Sequence, residues 1–263
     1  MNYSLTTRYE ELCIAVHVQT FFPVTIKIKA FDSEKPKTVF TDRYKTIKGN
    51  DIFYIRMPLS SEKVTISVFN QAKGNLPKGQ DNTFRVTKVE KLPLEKRLDV
   101  VDLNNPDVHY FVDFAQRFCY NASYLEDNQS YQSSNKRFLI EYLPEIINNQ
   151  SGKKMNTPAR ISKFNGRIQV SKNQFKEFTV PMRMAILLHE FSHFYINDKM
   201  DDETEADING LMIYLGLGYP RIEGYQAFLE VFLGTPTAQN KARYDIINKF
   251  IQDFEKNKMY IKQ

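Results

Sequence analysis

Cysteine is nearly missing from this 263-residue chain: Cys13 and Cys119 stand far apart and outside any Cys-x-x-Cys spacing. That sets aside a disulfide framework and leaves two reduced, buried thiols as the expectation. Long apolar runs are missing too. Nothing approaches the roughly 20 residues that span a bilayer, so no membrane span is expected. The stretch from Met1 to Val16 is broken by Arg8, Glu10 and Glu11 and lacks a signal-peptide core, which predicts a cytoplasmic product. There is no internal repeat. Histidine is scarce, with four in the chain, yet two of them, His189 and His193, stand four residues apart.

Against these absences, the composition is that of an ordinary globular protein, with 42% apolar and 25% charged residues. The length suits two domains. The net charge of +5 is uneven, for residues 1–92 hold 15 Lys/Arg against 9 Asp/Glu. A surplus of that kind can steer a surface toward an acidic partner. Here the lysines alternate with apolar residues, which reads as the solvated outer faces of strands. With basic residues so dispersed and no recognition motif, a nucleic-acid partner is not expected.

Apolar residues fall on every second position in Val24–Ala30, placing Val24, Ile26, Ile28 and Ala30 on one face. Leu12–Thr20, Ile52–Leu59, Val64–Phe69 and Thr83–Val89 read alike, separated by turn-forming stretches such as Asp32–Lys37 and Lys48–Asp51. The fold class is α+β: residues 1–92 form an antiparallel β-sandwich or small barrel, 93–107 a linker, and 108–263 a mainly helical domain. In that second part Asn105 and Pro106 open a helix carrying Phe111, Phe114, Ala115 and Phe118 on one face. Asn121–Lys136 reads as a loop and Arg137–Ile147 as a helix broken near Pro144. Ala159–Phe164 and Arg167–Lys172 flank Asn165-Gly166, a hairpin signal. Helices follow from about Pro181 with Thr179 or Val180 at the cap, from Asp201 or Asp202 to Gly216 or Gly218, and from Thr235-Pro236. The Ile246, Ile247, Phe250, Ile251 and Phe254 stripe of the last helix reads as core.

The chemistry gathers at His189-Glu190-Phe191-Ser192-His193. At helical spacing both imidazoles reach one metal ion from a single rigid element, and Zn2+ is the expected cofactor. Glu190, one residue round the helix, is positioned as general base toward a water attacking a carbonyl. The uncharged flanks Met184–Leu188 and Phe194–Ile196 suit a buried helix, in which two histidines and a glutamate without a metal would be costly. Zinc needs a third protein ligand. In Asp201-Asp-Glu-Thr-Glu-Ala-Asp207, Glu203 and Asp207 lie one turn apart, so Glu203 binds the metal while Asp207 fixes a histidine tautomer. Glu205 is the competing ligand, and Asp201 and Asp202 read as caps. His17 and His109 lie in apolar contexts and read as structural.

HExxH followed by Glu203-Thr-Glu-Ala-Asp207 resembles the gluzincin branch of the zincin metallopeptidases, and Glu-x-x-Ala-Asp is particularly similar to the prenyl-protease and heat-shock membrane protease group. The resemblance covers about Pro181 to Gly218. It departs from that group in lacking transmembrane helices, and from the metzincins in having Ile196 and Lys199 where their Gly and third His would stand. It implies a minimal zincin domain, a zinc-dependent endopeptidase and a protein or peptide substrate bound along an edge strand, for which Arg167–Ser171 is the candidate. It also implies an oxyanion-stabilising side chain, with Tyr219 or Arg221 as candidates. The N-terminal β domain would bind a protein partner or substrate. The Lys-, Asn- and Tyr-rich composition behind a β module is also similar to zincin-type proteins of tailed phages of gut Bacteroidetes. That similarity implies a virion-associated assembly protein without turnover as the alternative.

Overall fold

The computed structural model describes residues 1–76, 80–102, 105–148, 150–234 and 237–256. The chain divides into two compact units, Met1–Glu95 and Lys96–Gln263. It is an α+β protein. No helix among the described residues is long and apolar enough to cross a membrane.

The first unit is a five-stranded antiparallel sheet: β1 (Asn2–Thr6), β2 (Leu12–Asp32), β3 (Val39–Met57), β4 (Lys63–Asn70) and β5 (Phe84–Pro93). The two short strands expected over Leu12–Thr20 and Val24–Ala30 are one long strand. Its first half pairs with β5 and its second half with β4, while β3 runs along the other edge. A bulge between Thr20 and Val24 sets Phe21, Phe22 and Pro23 against Lys48 alone. The turn expected at Lys48–Asp51 is therefore part of β3, and Gly49 takes the positive φ of 83° that the bulge imposes. Val24, Ile26, Ile28 and Ala30 share the buried face, as the alternation requires. The sheet does not close into a barrel among the described residues, because β1, β3 and β5 each pair on one side only.

In the second unit a 3-10 turn (Leu98–Val100) leads to α1 (Pro106–Asn121), four strands β6 (Gln129–Gln132), β7 (Leu139–Leu143), β8 (Ala159–Ile161) and β9 (Ile168–Ser171), and the helices α2 (Lys172–Phe175), α3 (Val180–Tyr195), α4 (Glu203–Gly216), α5 (Arg221–Gly234) and α6 (Ala238–Lys256). The stretch expected as a linker is shared: β5 runs to Pro93, while Arg97 N–H donates to the Gly216 carbonyl of α4 (2.7 Å). Two expectations fail. Gln129–Gln132, read as loop, is a strand. Arg137–Ile147, read as helix, holds β7, whose neighbours Phe138, Ile140 and Tyr142 are buried at period two. The Asn165-Gly166 hairpin is formed, with Gly166 at φ 67° and Ile161 opposite Ile168. The start expected for the last helix at Thr235-Pro236 lies outside the described residues.

An aromatic cluster seats the motif helix. Phe191 stacks between Phe111 of α1 (4.2 Å) and Tyr195 (5.0 Å), with Phe138 edge-on. A second anchor is Arg183, fully buried on α3. Its guanidinium donates to the carbonyls of Phe175 (2.9 Å), Cys119 (2.8 Å) and Lys176 (3.0 Å) and to Ser123 Oγ (2.5 Å). One side chain thus satisfies carbonyls at the ends of α1 and α2. Arg183→Met strands those acceptors and is expected to cost about 3–5 kcal/mol, read as a lowered urea midpoint.

Candidate metal centre

Helices α3 and α4 build the site. Thr179 caps α3 by accepting the Met182 N–H (3.4 Å), with Pro181 in the first turn. The 16-residue helix then carries His189 and His193 one turn apart. Asp202 caps α4 by accepting the Glu205 N–H (3.0 Å), which sets Glu203 and Asp207 on one face. The helices meet closely because α4 has Gly210 at the crossing. A Cβ there would lie 2.9 Å from His189 N and 3.0 Å from His189 Cα, both backbone atoms that cannot swing aside. Gly210→Ala is expected to cost about 1–3 kcal/mol by overpacking and to weaken metal binding by spreading the ligand-bearing helices. Urea melts and zinc titrations of the variant check both.

His189 Nε2 and His193 Nε2 lie 3.2 Å apart, and each is 3.6 Å from a Glu203 carboxylate oxygen. The other ring nitrogens have partners of their own. His193 Nδ1 faces the Met200 carbonyl at 2.8 Å, and since a carbonyl only accepts, that nitrogen carries the proton. His189 Nδ1 stands 2.9 Å from Asp207 Oδ1, close enough to pair although not aligned as a hydrogen bond. With both protons on Nδ1, two Nε2 lone pairs and a carboxylate converge on one point. Three acceptors at this separation repel one another unless a cation lies among them. His189, His193 and Glu203 therefore bring ligand atoms close enough together to hold a metal ion.

The electrostatics follow from this crowding. Burial opposes charge on His189, yet Asp207, Glu190 and Glu203 outweigh it and raise its proton affinity above the ordinary imidazole range. The neighbouring His193, with His189 and Arg243 adding to it against partial burial, holds Glu203 down at about 2. Burial pushes the Glu190 carboxyl up, while the two histidines and the approaching Ile161 amide favour its charged form. Glu190 is buried, and Glu203, 42% exposed, is the open side of the cluster.

Arg243 of α6 was not singled out in the sequence. Its Nε and Nη2 fork Asp207 at 2.8 and 2.9 Å, and Nη2 also reaches Glu203 Oε2 at 3.0 Å. The signal was a charge in line with Ile247, Ile251 and Phe254, on the stripe that packs inward.

The other candidates are placed as follows. Glu205 accepts the Asp198 and Lys199 amides (3.0 and 3.3 Å) and so ties down the α3–α4 loop, which removes it as the competing ligand. Asp201 pairs with Lys163 at the hairpin. Tyr219 is buried, stacked on Tyr214, and its hydroxyl accepts from Gln116 (3.2 Å); Arg221 opens α5 at the surface. His17 pairs with Glu90 (2.8 Å), and exposed His109 packs against Tyr110. Cys13 and Cys119 are free and buried. The strand expected to be an edge is not one. β9 is flanked by β7, parallel, and β8, antiparallel, so Arg167–Ser171 has no open side.

On the β9 side of the sheet the open edge belongs to β8, β6 being the edge at the far side. Ser162 N–H donates to Arg167 O (2.7 Å) and Ser171 N–H to Pro158 O (2.9 Å), so the intervening Ala159 and Ile161 amides face away from β9. The Ile161 amide is the group that approaches Glu190. Comparison with protein-family models, curated proteins and solved structures finds no match to this chain.

Proposed function

We propose that this chain is a zinc-dependent peptidase of the zincin type, with His189, His193 and Glu203 as metal ligands and Glu190 as general base. The observation that carries the reading is the convergence of two imidazole lone pairs and a carboxylate at 3.2–3.6 Å. Four ligands at the usual zinc distances of about 2.0–2.1 Å stand about 3.3 Å from one another in a tetrahedron, close to these separations. Two imidazoles and one carboxylate also suit zinc better than calcium or magnesium, which prefer oxygen alone.

Bound zinc supplies Lewis acidity, polarising a carbonyl and acidifying water. The chain's own residues do the rest. Asp207 and the Met200 carbonyl fix the histidine tautomers so that both Nε2 atoms face inward. Glu190, buried beside the ligands, accepts the proton of the attacking water and returns it to the leaving amine. An extended peptide fits the open edge of β8 by backbone pairing, which assigns to Ala159–Ile161 the role expected of Arg167–Ser171. The bulge of β2, with Phe21 81% exposed, suits a protein partner of the N-terminal unit.

Elemental analysis of the purified protein tests the reading, with about one zinc per chain expected. Cleavage of an unbiased peptide library, inhibited by a chelator and restored by zinc, tests turnover. A protein without zinc sinks the proposal. Zinc without cleavage leaves the metal centre standing and favours an assembly role.

A further inference from the structure

We infer that Arg243 is a positioning residue of the metal centre: it holds Glu203 Oε2 so that Glu203 offers the metal one oxygen, Oε1, and a coordination position stays open. This rests on the metal-centre reading above. The geometry behind it is a bridge between helices. Nη2 of Arg243 reaches both Asp207 Oδ1 (2.9 Å) and Glu203 Oε2 (3.0 Å), while Nε holds Asp207 Oδ2 (2.8 Å). The two acids are one turn apart on α4, and the guanidinium arrives from α6 with only 12% of its side chain exposed. The planar fork fixes the guanidinium on Asp207, and Nη2 is thereby held beside Glu203 Oε2 as its ion-pair partner. Glu203 Oε1 lies 3.6 Å from His193 Nε2 and Oε2 3.6 Å from His189 Nε2, so the ion pair with Arg243 is what distinguishes the two oxygens. With Oε2 paired to Arg243, bidentate binding would have to break that ion pair. Two histidines and one carboxylate oxygen leave a fourth tetrahedral position free, the arrangement that catalytic zinc sites keep.

Charge alone predicts the opposite of positioning. Removing a cation beside a divalent metal should tighten binding, whereas releasing the ligand should loosen it by about 10- to 100-fold. Cobalt(II) is the probe, because its visible d–d bands are intense in four-coordinate sites and several-fold weaker in five- or six-coordinate ones. The full-length wild type should bind one cobalt with intense bands. Arg243→Met, with folding checked by circular dichroism, should give several-fold weaker bands and weaker cobalt binding. Arg243→Lys keeps a point charge without the fork and should give the same weakened bands. Unchanged bands in Arg243→Met overturn the inference whatever the affinity does. If Arg243→Met does not fold, Arg243→Lys decides, and wild-type bands there overturn it. A wild type that binds no cobalt overturns the metal centre itself, whereas an inference that fails alone leaves wild-type binding intact.

Discussion

Glu190→Gln is expected to reduce peptide hydrolysis by about 10²- to 10⁴-fold, the usual worth of a general base, while zinc content stays at about one per chain. The substitution keeps the shape of the side chain and removes its ability to take a proton. None of the three ligand atoms belongs to Glu190, so metal retention follows from the geometry. The Ile161 amide of β8 that approaches the carboxylate can still donate to the carboxamide oxygen, so the local packing has reason to persist. Parallel measurement of zinc, kcat and KM separates the cases. A fall in kcat at constant zinc and similar KM identifies the proton acceptor. Equal activity in wild type and variant would assign the base elsewhere. Loss of zinc together with activity would show Glu190 to be structural.

The parts of this site that could be read from the sequence are those fixed by local geometry. Two histidines four apart, a threonine before proline at a helix start and an aspartate three residues before Glu205 each specify their neighbours within one or two turns. The hairpin at Asn165-Gly166 is local in the same way. What escaped depends on elements distant in the chain. Arg243 lies 36 residues beyond Asp207 and became meaningful only once α6 was laid against α4. Gly210 is marked by nothing in its own helix; its reason is the backbone of His189 across the crossing. The edge strand was misplaced for a related cause. β9 looks exposed if it is paired only with its hairpin partner, but β7, some 28 residues earlier, takes its other side in parallel. That same pairing explains the misread helix over Arg137–Ile147, since a short central strand buried in a mixed sheet resembles a broken apolar helix until its partner is known. In the first unit, the alternating runs Leu12–Thr20 and Val24–Ala30 read as two strands, yet pairing with β3 resumes on the far side of the bulge.

The second large effect is expected from His193→Ala, which should abolish zinc binding and with it the stabilisation that zinc confers. Wild-type protein with zinc at 100 times its dissociation constant gains about 2.7 kcal/mol against unfolding, visible as a higher melting temperature that a chelator reverses. The variant keeps two of the three clustered ligand side chains, one fewer than catalytic zinc sites use, so its melting temperature should not respond to zinc. pH gives an independent check of sign. Zinc requires unprotonated Nε2 on both rings, so protons and metal compete for the same atoms. In the metal-free protein the carboxylates of Asp207, Glu190 and Glu203 raise His189 above its ordinary value of 6.5 despite burial. Competition therefore begins at a higher pH than for a free imidazole: the zinc-dependent rise in melting temperature should start to fall above the ordinary imidazole value and be lost as the medium is acidified further. A rise that persists undiminished well below the imidazole range would place the metal on oxygen ligands alone. The same acidification leaves His193→Ala unmoved by zinc at every pH, because in that variant there is no bound metal for protons to displace.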